Sequence, residues 1–92
     1  MNPLTLQDRA QLAAHARIQT DRITGQTVLL FPEGILKLNE TSSAILERCD
    51  GRTISEAIAD LAQHYEVPDS ELQADVLEFL EDLQRRQLLR LS

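Results

Sequence analysis

Ninety-two residues make one domain with a modest core, and with only Phe31, Tyr65 and Phe79 as aromatics that core must be aliphatic. A single cysteine excludes a disulfide framework and a thiolate metal site, and a net charge of −6 disfavours nucleic acid. No apolar run approaches the roughly 20 residues of a membrane-spanning helix, and Met1–Thr5 has neither the basic start nor the apolar stretch of a signal peptide, so a cytoplasmic protein is expected.

Residues 1–15 read as a flexible, weakly helical arm: Leu4, Leu6, Ala10, Leu12, Ala13 and Ala14 define no continuous apolar face. A single folded domain is expected over residues 16–92. Arg17 to Ile23 is a poor strand by propensity. Thr24-Gly25-Gln26 supplies a turn, and Thr27-Val28-Leu29-Leu30-Phe31 is a strong β-branched and apolar strand. Pro32 suits the second position of a type I turn and Gly34 its last, after which Ile35-Leu36-Lys37-Leu38 returns as a partner strand. Three strands in a meander leave the third at an edge.

The remainder is helical. Asn39 caps a helix from Glu40 to Arg48, ended at Asp50-Gly51 with the glycine in a left-handed position. Thr53-Ile54-Ser55-Glu56 is a capping box, and behind it Ile54, Ala57, Ile58, Leu61, Ala62 and Tyr65 form an apolar stripe at helical spacing. Val67-Pro68 breaks this helix. Ser70 with Gln73 reads as a second box, opening the longest helix, whose apolar face is Leu72, Val76, Phe79, Leu80 and Leu83, widened by Leu77. Leu88-Leu89-Arg90-Leu91 adds a short final strand. The predicted class is α+β: a winged-helix-like domain with a three-stranded antiparallel meander followed by three helices.

No catalytic constellation is present, so the chain reads as a non-enzyme needing no cofactor or metal. His15 and His64 have no carboxylate or thiol at a spacing that suggests a shared site. Asp75, Glu78, Glu81 and Asp82 form the polar face of the last helix, a solvated face before a metal site. Cys49 falls four residues after Ile45, on the apolar side of its helix, as a small buried hydrophobe. Asp69-Ser70 matches the Asp-Ser pair of acyl carrier proteins, but Ser70 is better used as a helix cap. The winged-helix order suggests a DNA-binding regulator as the alternative function; against it, Leu72 to Asp82 offers four carboxylates and no Lys or Arg.

Charge is segregated. Glu40 to Asp82 holds twelve acidic residues and two basic ones, whereas residues 1–39 hold three acids and four bases. This favours a basic partner, with the acidic face of the second and third helices as the expected docking surface for a partner enzyme.

Leu30-Phe31-Pro32-Glu33-Gly34, Leu36-Lys37-Leu38-Asn39 and Ile45-Leu46-Glu47-Arg48-Cys49-Asp50-Gly51 together resemble the PqqD family. Thr53-Ile54-Ser55-Glu56-Ala57-Ile58 and Val76-Leu77-Glu78-Phe79-Leu80-Glu81-Asp82-Leu83 fit the same pattern, so the resemblance spans about residues 16–91. Many members carry an aromatic or Gly near the position of Gln87-Leu88, where this chain has neither. The resemblance implies a peptide chaperone of pyrroloquinoline quinone biosynthesis, a recognition element for a ribosomally made, modified peptide. It would bind the precursor peptide PqqA and present it to PqqE, a radical S-adenosylmethionine enzyme that carries its own iron–sulfur clusters.

The expected mode is strand addition. Ile35, Leu36, Lys37, Leu38 and Asn39 would offer a free backbone edge, with Leu72, Val76, Phe79 and Leu83 of the last helix as the opposite wall. Lys37 would either pair with an acidic peptide group or guard the edge against aggregation. The same edge makes a homodimer plausible at high concentration, with peptide as its competitor.

Overall fold

The computed structural model describes residues 4–66 and 68–91, with Asp69 described through its backbone only. The strands are β1 (Arg9–Leu12), β2 (Arg17–Thr20), β3 (Thr27–Phe31), β4 (Gly34–Leu38), β5 (Asp50–Thr53) and β6 (Leu89–Leu91). The helices are α1 (Glu40–Glu47), between β4 and β5, then α2 (Ile54–Ala62) and α3 (Asp69–Arg85), which precede β6. The strands form two antiparallel sheets, β2-β3-β4 and β5-β1-β6.

The first sheet is the expected meander. Arg17, Ile18, Gln19 and Thr20 stand opposite Leu30, Leu29, Val28 and Thr27, and β4 returns with Leu36 opposite Leu29 and Leu38 opposite Thr27. The period of two puts Ile18, Leu29, Leu36 and Leu38 on the core face and Arg17, Val28, Leu30, Ile35 and Lys37 on the other. β2 stops at Thr20, short of the expected Ile23, because residues 21–26 fold as a closed loop. There the Asp21 carboxylate accepts from the Ile23 amide at 2.8 Å, and Gly25 takes the φ of +76° that the turn requires. Ile23 is left 95% exposed at the tip.

The second sheet was not expected. Where the composition suggested a weakly helical arm, residues 9–12 run as the central strand β1, with Ala10 opposite Leu91 and Arg9 opposite Thr53. Leu4, Ala10 and Ala13 are buried. Pairing with strands contributed by the middle and the end of the chain overrides a weak local preference. The part of the expected arm before Leu4 lies outside the described residues. β5 occupies the segment expected only to end a helix: Gly51 does have a positive φ, +104°, but as the irregular residue of a strand whose register against β1 shifts between Arg9 and Gln11.

The helices follow their caps. Asn39 Oδ1 accepts from the Ser42 amide at 2.7 Å and starts α1, which ends at Glu47 with Arg48 as its C-cap. The capping box is formed: Thr53 Oγ1 accepts from the Glu56 amide at 3.1 Å, and Glu56 Oε1 from the Thr53 amide at 2.9 Å. α2 ends at Ala62, so Tyr65 packs from beyond the helix, half-buried. The expected break at Val67 lies outside the described residues. The second box does not form. Pro68 is the N-cap of α3, placing Ser70 inside the first turn, and among the described residues no side chain caps that end.

The C-terminus of α3 is closed by paired backbone bonds: the Leu88 amide donates to the Leu83 carbonyl at 2.9 Å and the Gln87 amide to the Gln84 carbonyl at 3.0 Å. This closure puts Gln87 at φ +60°, the left-handed position that glycine occupies without cost. Leu29, Ile45, Ile54, Leu61, Leu80, Leu83 and Leu88 are fully buried and form one aliphatic core shared by the helices and both sheets. Among the described residues no helix is long and apolar enough to cross a membrane.

Candidate functional site

Among the described residues β4 pairs only with β3, so its other side presents unpaired backbone N–H and C=O groups. An open groove of about 460 Å³ begins where this strand ends. Asn39, Thr41 and Ser42 line one wall, from the start of α1. Asp75, Val76, Glu78, Phe79, Asp82 and Arg85 of α3 line the other.

The nine residues expected at the site divide three ways. Asn39, Val76 and Phe79 line the groove. Ile35, 61% exposed, and Lys37 lie on the outer face of β4, turned away from the core and therefore from α3. Leu38, Leu72 and Leu83 are buried and Leu36 is half-buried on the core face; these hold the fold together. Position around the helix explains the division. Leu72, Leu80 and Leu83 form the middle of the apolar stripe together with Val76, which borders the groove but is buried at 2% exposure, while Phe79 sits on its flank beside Asp75 and Asp82 and stays half-buried.

The groove residues missing from the sequence reading are Thr41, Ser42, Asp75, Glu78, Asp82 and Arg85. The carboxylates looked like a solvated face. Asp75 and Asp82 lie four residues before and three after Phe79, which was the available signal; spacing alone does not separate Glu78 from Glu81, which is exposed and outside the groove. Asp82 is held by Arg86 at 3.0 Å and Arg85 at 3.6 Å.

A second concavity lies on the other flank of α1, between the residue 24–27 turn, Glu40, Ser43, Glu47 and Tyr65. Its Gln26 amide nitrogen is already engaged, donating to the Thr27 and Leu38 carbonyls at 3.0 and 3.2 Å. Gln26 thereby anchors the turn to the end of β4.

The ionisable groups with shifted titration lie away from the groove and are structural. Arg48 Nε donates to Asp60 at 2.6 Å, which holds that carboxyl below its ordinary value and ties the end of α1 to α2. Glu56 is held down by the Thr53 amide and hydroxyl, and Asp50 by the Arg52 guanidinium. Burial pushes the Cys49 thiol up to about 11, and its Sγ donates to the Ile45 carbonyl at 3.3 Å. Such a thiol is a packing group, not a nucleophile. His15 and His64 are both exposed.

A sheet edge leading into a half-apolar groove is a recognition geometry, and the comparisons agree with it. The family model of coenzyme PQQ synthesis protein D matches residues 26–89. The chain belongs to the PqqD family. It is 35% identical to a PqqA binding protein of Xanthomonas oryzae pv. oryzae, over 99% of this chain and all of that one. With the PqqA binding protein of Azotobacter vinelandii it shares 39% identity over 99% of each. The solution structure of the PqqD truncation of Methylobacterium extorquens PqqCD, described as a functional, stand-alone RiPP recognition element, superposes with a TM-score of 0.75. That alignment is 30% identical and covers 88% of this chain and 87% of the other. This PqqD-family chain is thus a recognition protein, not an enzyme. The winged-helix comparison describes its layout only, and nothing favours the DNA-binding alternative.

Proposed function

We propose that this protein binds the precursor peptide PqqA by strand addition and presents it to the radical S-adenosylmethionine enzyme PqqE. The observation that carries the reading is the unpaired edge of β4 running into the groove between α1 and α3. A peptide laid along β4 would gain backbone pairing that tolerates sequence, and its alternate side chains would turn toward Phe79. The names of the relatives from Xanthomonas and Azotobacter support PqqA as the ligand.

Holding the peptide extended leaves the reacting segment beyond the groove open to an enzyme, so the domain needs no catalytic group of its own. The acidic surface of α2 and α3 outside the groove is the proposed contact for PqqE. Isothermal titration with PqqA tests the ligand, repeated with PqqE present. Saturable one-to-one binding under either condition supports the reading; no heat of binding in both overturns it. A second copy could use the same β4 edge, in which case added PqqA lowers the sedimentation mass of any dimer.

A further inference from the structure

We propose that the groove selects a cationic strand: one apolar side chain seated on Phe79, with a neighbouring Lys or Arg reaching Asp75 and Glu78. The inference rests on the strand-addition reading and specifies the chemistry of the strand.

Some of the polar groups in the groove are already paired within the protein. Asp82 is engaged by Arg85 and Arg86, and Asn39 Oδ1 by the Ser42 amide and hydroxyl, both at 2.7 Å. Asp75 and Glu78 have no ion pair or side-chain hydrogen bond among the described residues, and both are exposed at the groove. They lie three residues apart on α3, close enough for like charges to repel. A cation from the ligand relieves that repulsion.

Among the described residues no cation is paired with Asp75 or Glu78. Arg85, at the far end of the groove, lies 3.6 Å from Asp82, one turn beyond Glu78, and Lys37 stands on the outer face of β4 because Leu36 and Leu38, on either side of it, turn to the core. Only alternate residues of an added strand can face α3. The apolar anchor and its cation therefore occupy the same row, two positions apart, while the other row passes Ile35 and Lys37. An anion in the groove-facing row meets two carboxylates and is rejected.

The test uses the full chain, labelled for NMR, and two synthetic extended peptides of equal length and apolar content. One carries Lys in alternate positions and the other Glu. The Lys peptide is expected to bind roughly tenfold tighter at low salt, with the difference shrinking as salt rises. The double variant Asp75→Asn/Glu78→Gln keeps the wild-type thermal midpoint, since both positions are exposed, and loses the preference. Equal binding of the two peptides, a preference that survives in the double variant, or binding of neither overturns the proposal. The strand-addition reading is scored separately. Shifts of the β4 amides with both peptides alike keep strand addition and remove charge selection. A Lys preference read at Asp75 to Phe79 with silent β4 amides keeps charge selection and removes strand addition.

Discussion

The two sheets have the same number of strands and opposite uses. The β2-β3-β4 sheet is assembled from neighbours in the chain and ends at β4, which has no second partner strand among the described residues. The β5-β1-β6 sheet joins residues 9–12, 50–53 and 89–91, tying the start, middle and end of the chain together beside the core. On the strand-addition proposal, one sheet presents and the other closes. A binding edge must stay unpaired to work, which is a liability in solution, so the stability that holds it in place has to come from elsewhere. Here it comes from the aliphatic core and from the closing sheet, whose strands are short but distant in sequence.

Breaking the closure should cost stability without touching the groove. Leu88→Ala removes a fully buried side chain between α3 and β6 and is expected to destabilise by about 2–4 kcal/mol in urea unfolding. Gly51→Ala forces a φ of +104° on a side chain whose Cβ would sit 3.2 Å from Gln11 Nε2. An effect of about 1–3 kcal/mol is expected, read as a lower thermal midpoint. Gln87→Gly goes the other way: it relieves the left-handed position after α3 and should stabilise by about 1 kcal/mol. In all three variants that remain folded, peptide affinity should match wild type. A large loss in Gly51→Ala would mean that the closing sheet also shapes the groove. The smallest effect is expected at the presenting sheet itself. Lys37→Ala, on the outer face of β4, should change affinity by less than about threefold. A tenfold loss would place the peptide across the outer face instead.

The same contrast explains what the sequence disclosed. The meander was legible because its signals are local: β-branched and apolar residues in Thr27–Phe31, a Pro-Glu-Gly turn, and alternation that resumes in Ile35–Leu38. Asn39 and the Thr53-Glu56 box were legible for the same reason. β1 was not, since Arg-Ala-Gln-Leu has little strand propensity and its partners are some 40 and 80 residues away. β5 was hidden inside a helix-termination signal. α1 stops at Glu47, capped by Arg48, before Asp50-Gly51 is reached, and pairing with β1 makes that segment a strand. At the site, the edge and the facing helix could be read, but the apolar residues of α3 could not be divided between core and groove. Leu72 and Leu83 differ from Phe79 by angular position on one helix, and that position acquires meaning only once α1 and β4 are in place.

The central claim is that the presenting sheet takes the peptide and the closing sheet does not. Amide shifts and hydrogen exchange of the labelled full chain, titrated with PqqA, address both halves together. The account predicts shifts and slowed exchange over Ile35 to Asn39 and shifts over Asp75 to Arg85, with Arg9–Leu12, Asp50–Thr53 and Leu89–Leu91 unchanged. Changes concentrated on those three strands, with the β4 amides silent at saturating peptide, would contradict it.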